Sequence, residues 1–324
     1  SIRDVITNFD AVIRDHQIQI SPLFRATLRP YQQEGVAWIQ LLAKLNMNGL
    51  LADDMGLGKT VQTLAVLSTQ GENDVSLVIA PNSLVHNWAR ETDQFLPHFK
   101  VICLGAGQQP VIEELTACQL VVCPFSMVYR LRWALESIQW AWLVVDESQR
   151  IKNANTQSAK TIKQIRATRR LALSGTPIEN HLGELWSQLD FLMPGLLGSR
   201  KEFDNNWRKP IEKETNPWVA NRLAARIKPF IKRRTKAEVA EELPLKNEQV
   251  IRVPLGPKQA QAYETVRATM DKRLRDTLSQ KGFAKSQILF LEALLRLRQI
   301  CCDPALVNDK APSAKPGQYL RTSA

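Results

Sequence analysis

The amino-acid sequence predicts an α/β fold: a doubly wound parallel sheet, followed by a helix-rich basic segment. Short runs rich in valine, isoleucine and leucine recur through the first 200 residues, and stretches with apolar residues at helical spacing separate them. Continuous apolar runs this short are typical of strands that are buried on both faces, as in a parallel sheet. The predicted strands lie within residues 48–53, 76–81, 100–105, 119–125, 141–148 and 169–175.

The sequence becomes helix-rich and basic after residue 200. Residues 1–200 contain 18 Lys and Arg against 18 Asp and Glu, whereas residues 201–300 contain 22 against 12. Residues 261–280 have an apolar stripe that predicts an amphipathic helix, and an apolar run that stops at Pro304 predicts a second. Clustered positive charge is expected of a protein that binds a polyanion, but a solvated basic face explains the same composition.

The overall composition is that of a globular protein and excludes several other classes. Hydrophobic residues make up 44% of the chain and charged residues 23%, which excludes a disordered or fibrous chain. No apolar run approaches the roughly eighteen residues of a membrane span, and the first ten residues have no signal-peptide pattern. We therefore expect a cytoplasmic protein, nucleoid-associated in a bacterium or nuclear in a eukaryote. The cysteines form no C-x-x-C pair, so we expect all five to be buried and reduced.

The stretch LADDMGLGKT resembles a phosphate-binding loop without its first glycine. The full pattern G-x-x-x-x-G-K-[ST] requires glycine at position 53, where this sequence has Asp53. The G-K-[ST] end of the pattern is intact. Gly56 and Gly58 let the backbone approach phosphate oxygens at the start of a helix. Lys59 can then reach the β and γ phosphates, and the Thr60 hydroxyl can bind Mg²⁺. A G-x-G-K-T run is only moderately specific, so a second motif is needed.

The run WLVVDESQR supplies this second motif. It places Asp146 and Glu147 directly after four apolar residues, at the carboxyl end of a buried strand, where open α/β sheets bind ligands. Phosphoryl transfer to water needs a carboxylate for the metal ion and a group that positions or deprotonates the water. Asp146 suits the first role and Glu147 the second. The alternative is that both carboxylates simply begin a solvated loop.

These motifs and others resemble those of a known family. Five stretches resemble, in order and spacing, the motifs of the first RecA-like lobe of superfamily-two helicase-like motors, and specifically those of the Swi/Snf-type DNA-translocating ATPases. They are LRPYQQEGVAWI, LADDMGLGKT, VIAPNSLVHNWARE, VVDESQRIKN and LALSGTPIEN. The resemblance continues through LWSQLDFLMPGLLGSRKEF, KPFIKRRTKAEVAEELPLK and LLRLRQICCDPALV, so it covers residues 25–307. Loops of this family commonly lack the first glycine and bind ATP.

The resemblance implies roles for particular residues. It implies that ATP is held by Gln32, which reads the adenine base, and by Asp54, Met55, Gly56, Leu57, Gly58, Lys59 and Thr60. It implies that Mg²⁺ is held by Thr60 and Asp146, and that the catalytic residues are Lys59, Asp146, Glu147 and Gln149. It implies that nucleotide state is coupled to DNA grip through Gln149, Ser174, Gly175 and Thr176.

The resemblance also implies DNA contacts at Pro81, Ser83 and Trp88, and the basic run KPFIKRRTK adds Arg233 and Arg234 as phosphate contacts. Several assignments have simpler alternatives. In these alternatives, Gln32 is a surface helix residue, Trp88 is a core aromatic residue and Ser174 is a turn residue. The alternative for Arg233 and Arg234 is a structural role, in which they pair with acidic residues such as Glu241 and Glu242 or pack the helical segment onto the lobe.

The resemblance implies the ATP-binding lobe of a DNA-dependent ATPase that, when complete, translocates on duplex DNA of any sequence and remodels protein–DNA complexes. Family motors close ATP between two lobes, and the second lobe supplies arginines. No Q-x-x-G-R-x-x-R-x-G-Q stretch occurs here, so we expect this portion alone to hydrolyse ATP very slowly. The alternative is a non-catalytic DNA- or protein-binding module that retains a nucleotide-responsive fold.

The domain organisation that follows has four parts. They are an N-terminal flank (1–24), a RecA-like ATP-binding lobe (25–200), a helical insertion leading toward a second lobe (201–307) and a disordered tail (308–324).

Overall fold

The computed structural model describes residues 12–13, 16–105, 107, 110–154, 156–175, 182–239, 254–281, 283–303 and 306, without the side chains of residues 276–288. The chain forms two compact units, Ser1–Leu245 and Lys246–Ala324. Among the helices of the described part, none is long and apolar enough to cross a membrane. The predicted tail, residues 308–324, lies outside the described residues.

A parallel sheet forms the centre of the first unit, and the described residues contribute seven strands to it. In chain order these are β1 (Gly49–Leu51), β2 (Ser76–Ala80), β3 (Val101–Cys103), β4 (Leu120–Pro124), β5 (Trp140–Val145), β6 (Ala167–Leu173) and β7 (Ile231–Lys232). Their order across the sheet is β3-β4-β2-β5-β6-β1-β7, and neighbouring strands are parallel throughout. All six strands predicted from the sequence are present, which confirms the fold class.

Burial explains why these strands were recognisable. Every residue of β1, β2 and β4 is buried, as expected when helices cover both faces of a parallel sheet. Edge strand β3 is only half-buried, because it has one neighbouring strand. Continuous apolar runs in the sequence therefore correspond to the centre of the sheet.

Within the part of the chain that the structure describes, one helix of the first unit precedes β1, and the others lie between successive strands. They are α1 (Pro30–Lys44), α2 (Lys59–Leu67), α3 (Asn82–Phe95), α4 (Ile112–Thr116), α5 (Phe125–Val128), α6 (Arg132–Ser137), α7 (Gln157–Gln164), α8 (Leu182–Leu192), α9 (Arg200–Phe203), α10 (Lys209–Glu212) and α11 (Pro217–Ile227). Short 3₁₀ segments cover Ser148–Ile151 and Lys228–Phe230, and a π-helical segment covers Asp204–Arg208. Helix α1 begins at Pro30, whose fixed φ and missing N–H suit the first helical position.

The second unit contains two long helices, α12 (Pro257–Lys281) and α13 (Phe283–Cys302), which pack against each other. The Nε2 of Gln259 donates to the carbonyl of Ile300 at 2.7 Å and to that of Cys301 at 3.1 Å, which ties the start of one helix to the end of the other. Both predicted helices are present.

The cysteines are only partly as expected. Cys118 and Cys123 are buried, and burial raises their pKa to about 11 and about 12, respectively. Cys103 is half-buried, whereas Cys301 and Cys302 are exposed. The prediction that all five are buried is wrong for the last two, which are the final residues of α13.

Strand β7 extends the sheet beyond the predicted lobe boundary at residue 200. It pairs with β1, and past the paired residues the backbone N–H groups of Ala52 and Asp54 donate to the carbonyls of Lys232 and Arg234, at 2.7 and 2.9 Å. The strand is two residues long and sits in a basic run, so it has no apolar pattern for sequence reasoning to detect. The first unit continues to residue 245, which differs from the predicted division at 200.

Truncation tests whether residues 201–245 belong to the first unit. A chain that ends at residue 200 lacks β7 and Arg234, so the buried Asp53 carboxylate loses its ion-pair partner. Breaking a buried ion pair costs about 3–5 kcal/mol, so residues 1–200 should aggregate or unfold at a much lower urea concentration than residues 1–245. Circular dichroism measures both transitions, and equal midpoints would contradict the assignment of β7 to this unit.

Candidate nucleotide site

The predicted motifs meet at the carboxyl edge of the sheet. The phosphate-binding loop follows β1, the acidic pair Asp146-Glu147 follows β5, and Ser174 follows β6. Strands β5, β6 and β1 are successive neighbours, so the three segments lie side by side. Parallel sheets bind ligands at this edge.

The loop between β1 and α2 has the backbone of a phosphate-binding loop. Gly56 and Gly58 have φ angles of 88° and 77°, in the left-handed region that favours glycine. Helix α2 begins at Lys59, and its first N–H groups have no carbonyl partner within the helix, which suits them to an anion.

Lys59 is partly buried and points into the loop. Its Nζ donates to the carbonyl of Asp53 at 2.7 Å and to that of Asp54 at 3.3 Å. Burial lowers the pKa of Lys59, while the carboxylates of Glu147 and Asp146, with those of the two loop aspartates, act in the opposite direction. The ammonium therefore lies among the acidic groups of the site, as the sequence predicts.

Asp146 is held by two donors. Its side chain is largely buried, and its Oδ2 accepts a hydrogen bond from Nε1 of Trp88 at 2.9 Å, while Oδ1 accepts from the backbone N–H of Glu147 at 2.8 Å. Burial raises the pKa of Asp146, and the bond from Trp88 opposes this rise. The carboxylate is thus fixed in one orientation beside Lys59, and the solvated-loop alternative does not describe it.

Glu147 begins a chain of hydrogen bonds across the edge of the sheet. Its φ of 49° is unusual for a residue other than glycine, and backbone strain of this kind clusters at functional sites. The Nε2 of Gln149 donates to Glu147 Oε2 at 2.7 Å, and Ser174 Oγ donates to Gln149 Oε1 at 3.0 Å. The carboxylate after β5 is thereby connected to the residue after β6, as expected of a coupling motif.

Ser148 faces the interior. Its Oγ donates to Oε1 of Gln188 in α8 at 2.7 Å, and both residues are fully buried. This bond anchors the turn that carries the acidic pair to helix α8. Sequence reasoning did not identify Gln188, because nothing in its local pattern distinguishes it from other polar helix residues.

Gln32 contacts the loop and is not on the surface. Its Oε1 accepts from the backbone N–H of Arg29 at 2.9 Å, and its Nε2 donates to the carbonyl of Leu57 at 3.3 Å. A Cβ on Gly58 would lie 2.5 Å from this Nε2, so the side chain fits directly against the loop. The surface alternative is wrong; the contact with adenine stays a prediction. Tyr31, which sequence reasoning missed, also donates to Leu57 from its hydroxyl at 3.2 Å.

Met55 and Gly175 lie close together at the outer side of the loop. Met55 is 69% exposed, and a Cβ on Gly175 would lie 3.0 Å from Met55 Cγ. The loop tip therefore contacts the segment after β6. Thr176, the third residue of the predicted coupling run, lies outside the described residues.

Three of the predicted DNA contacts are buried, which argues against side-chain contact with DNA at Trp88 and Arg234 and leaves backbone contact at Pro81 a prediction. Pro81 is covered at the start of α3, and Trp88 is only 1% exposed because its indole packs inward and holds Asp146. Arg234 is also buried, against Asp53. Ser83 and Arg233 are exposed, so they alone of the predicted DNA contacts offer accessible side chains.

Arg234 is the partner of the residue that replaces the loop's first glycine. Its Nε donates to Asp53 Oδ1 at 2.9 Å, and its Nη2 donates to Oδ2. The structural alternative therefore applies to Arg234, with Asp53 as its partner. Glu241 and Glu242, the partners considered from the sequence, lie outside the described residues.

Some basic residues of the segment after residue 200 are paired within their own helices. Arg275 pairs with Asp271 at 2.7 Å, and Arg296 pairs with Glu292 at 3.0 Å, in each case four residues apart. Such exposed pairs support a helix by a few tenths of a kcal/mol, of order 0.2–0.5. Part of the basic composition is therefore explained without DNA.

Comparisons with known proteins agree with the fold and the motifs. Residues 31–306 match the family model of the SNF2-related domain. The chain is 37% identical over 316 residues to the putative ATP-dependent helicase/translocase YwqA of Bacillus subtilis, covering 94% of this chain and 34% of that protein. It is 34% identical to the TATA-binding protein-associated factor MOT1 of Saccharomyces cerevisiae, covering 87% of this chain and 17% of that protein.

A solved structure is also similar. The Sulfolobus solfataricus SWI2/SNF2 ATPase core in complex with dsDNA superimposes with a TM-score of 0.67 at 37% identity, covering 90% of this chain and 62% of that one. This chain thus spans only part of the length of these relatives. Because the family match extends over most of the chain, and the sheet, loop and acidic pair agree with it, this chain belongs to the SNF2-related domain family of SWI2/SNF2 helicase-like ATPases.

Proposed function

We propose that this chain is the ATP-binding lobe of a DNA-dependent ATPase that, in complete form, translocates on duplex DNA and remodels protein–DNA complexes. The observation that carries the proposal is the convergence of Lys59, Asp146 and Glu147 at one edge of the sheet. A cation aimed into a glycine loop, with two carboxylates beside it, is the arrangement that phosphoryl transfer to water requires.

Lys59 and the first N–H groups of α2 would bind the phosphates. The ammonium donates to two loop carbonyls, and it would exchange these partners for phosphate oxygens when ATP binds. The donors nearby fit Mg²⁺, since the Asp146 carboxylate and the Thr60 hydroxyl are the oxygen ligands that this ion prefers. Bound Mg²⁺ would neutralise charge on the phosphates.

Glu147 would orient the attacking water and accept its proton. Gln149 holds one carboxylate oxygen of Glu147, and Ser174 in turn holds Gln149, so movement at Glu147 would be transmitted to the segment after β6. This connection would link the nucleotide state to the DNA contacts. Arginines from a second lobe can be worth roughly 10³ to 10⁵ in rate, so this portion alone would hydrolyse ATP very slowly.

DNA binding is proposed for the exposed residues at the same edge of the sheet. Ser83 lies past the end of β2 and Arg233 directly past the end of β7, and both are accessible. The similarity to an ATPase core that was solved with dsDNA supports a duplex as the ligand. Contacts of this kind bind phosphates and would not select a base sequence.

Nucleotide binding is tested by replacing Lys59. The wild-type chain should bind Mg·ATP, and Lys59→Ala should weaken binding by about 1.5–3 kcal/mol, the usual worth of a hydrogen bond to a charged group. Calorimetric titration measures both affinities. Burial disfavours the Lys59 ammonium, so the thermal unfolding midpoint, measured without added nucleotide, should be nearly unchanged. Equal affinities would remove Lys59 from the site, and a wild type that does not bind ATP would contradict the proposed ATP-binding function.

The pH dependence of metal-supported binding is tested by Trp88→Phe. Asp146 must be ionised to hold Mg²⁺, and the bond from Trp88 is the largest of the causes that oppose the rise in its pKa on burial. Without that donor the pKa rises further, so Mg²⁺-dependent ATP binding should be lost at a higher pH as the solution is acidified. Calorimetry at a series of pH values measures the midpoint. The matched control is Trp140→Phe, whose indole donates to the Leu135 carbonyl; the same midpoint in all three proteins would contradict the role of the Trp88 bond in keeping Asp146 ionised for Mg²⁺.

Duplex binding is tested by Arg233→Gln. Each phosphate contact that is lost should make the log–log salt dependence of affinity shallower by about 0.9, and binding should not depend on base sequence. Fluorescence anisotropy at several salt concentrations measures the slope. The control is Arg166→Gln, because Arg166 is also exposed but precedes β6, at the opposite edge of the sheet. If Arg233→Gln leaves the slope unchanged, or if Arg166→Gln alters it equally, Arg233 makes no specific phosphate contact.

A further inference from the structure

Asp53, which occupies the position of the missing glycine, is the centre of a buried polar cluster. The side chain is fully buried and accepts hydrogen bonds from Arg234 at both oxygens. Gln62 donates to Asp53 Oδ2 at 3.3 Å and accepts from Arg234 Nη2 at 2.9 Å. We refer to Asp53, Gln62 and Arg234 as the loop cluster.

The loop cluster connects the phosphate-binding loop to three other elements. Asp53 belongs to the loop, Gln62 to helix α2, and Arg234 to the segment after β7. The Arg234 guanidinium also donates to the backbone carbonyl of Tyr31 in α1, and the Tyr31 hydroxyl donates to the carbonyl of Leu57 further along the loop. The loop is thus held at its start by Asp53 and near its end through Leu57.

Backbone bonds run alongside the cluster. The N–H of Ala52 donates to the carbonyl of Lys232, the last residue of β7, and that of Asp54 donates to the carbonyl of Arg234, while the N–H of Lys236 donates back to Asp54 Oδ2 at 3.0 Å. Residues 232–236 therefore lie directly against the loop that would bind phosphate. Arg234 is the member of this segment whose side chain enters the interior.

The surrounding backbone is shaped to admit these side chains. Helix α1 has glycine at position 35, and a Cβ there would lie 1.9 Å from Gln62 Oε1 and 2.8 Å from Arg234 Nη2. Among the described residues other than glycine, positive φ angles occur at Asn46, Glu147 and Thr215. Asp53 is not one of them, so its backbone does not require the glycine of the standard loop pattern.

We propose that Asp53 and Arg234 are positioning residues for the nucleotide: their ion pair keeps the loop backbone in the conformation that binds phosphate, and makes nucleotide affinity depend on residues 232–236. This inference rests on the proposed ATP-binding function. Its physical basis is preorganisation, since a loop that is competent only a fraction of the time binds with an affinity reduced by that fraction. Stability alone is a weak reason to retain such a pair, because apolar replacements of both partners are often equally stable.

The decisive variant replaces both partners, Asp53→Asn with Arg234→Met. This double variant leaves no unpaired buried charge, so its thermal unfolding midpoint should stay close to that of the wild type. Its affinity for Mg·ATP, measured by calorimetry, should nevertheless fall about tenfold, as expected if the loop is competent a tenth of the time. Gly35→Ala should lower the affinity in the same way, because it displaces Gln62 and Arg234 without changing any charge.

The matched control is Arg170→Met. Arg170 is a partly buried arginine whose guanidinium donates to backbone carbonyls of the described residues, among them that of Phe191 at 2.7 Å and that of Ile165 at 3.1 Å. It lies in β6, away from the loop. Its replacement should lower the unfolding midpoint and leave the affinity for Mg·ATP unchanged, which separates loss of stability from loss of loop positioning.

Amide hydrogen exchange gives a second readout. Coupling between two sites is reciprocal, so Mg·ATP should slow exchange of the amides of residues 232–236 in the wild type and not in the double variant. A folded double variant that binds Mg·ATP with wild-type affinity would overturn the inference and leave the proposed function intact. A wild type that does not bind Mg·ATP would overturn both.

Discussion

The parallel pairing of β5, β6 and β1 is the constraint on which the site depends. Because neighbouring strands run in the same direction, the segments that follow them emerge at one edge, although they lie far apart in the chain. The phosphate loop, the acidic pair and Ser174 are brought together in this way, and no contact within any one segment could do it. Because helices cover both faces of the sheet, the residues within these strands are apolar, and the polar residues of the site occur where the strands end.

The site places charged groups where water is scarce, and the surrounding bonds partly offset the effect of burial. Burial acts against the ionised forms of both Lys59 and Asp146. Asp146 is compensated by the indole of Trp88 and the N–H of Glu147, and Lys59 by loop carbonyls and nearby carboxylates. Trp88 is thus more than a core aromatic residue, because its indole N–H donates to the Asp146 carboxylate that is proposed to bind the metal.

Arginines of this chain have different roles in different environments. Arg275 and Arg296 each form an exposed ion pair within their own helix, and such pairs contribute little to stability. Arg234 is instead buried with Asp53 and Gln62, and its guanidinium donates hydrogen bonds to both. The difference is one of burial and partner distance along the chain, not of residue type. Arg233, the immediate neighbour of Arg234, faces solvent because side chains alternate along an extended segment.

The sequence by itself determined the fold class, six of the seven strands that the described residues form, and the loop, acidic pair and Ser174 that meet at one edge of the sheet, since buried strands, glycine loops and strand-terminal carboxylates leave local patterns. Tertiary structure alone decided the rest. Strand β7 is too short to show a period, and its place in the sheet depends on pairing with β1 across most of the chain. Three polar pairs also depend on contacts between residues that are distant in the chain. They are Asp53 with Arg234, Ser148 with Gln188 and Trp88 with Asp146, which are 181, 40 and 58 residues apart. Each of these polar side chains is compatible with a surface position until packing removes water from it, and only then does its partner become a requirement.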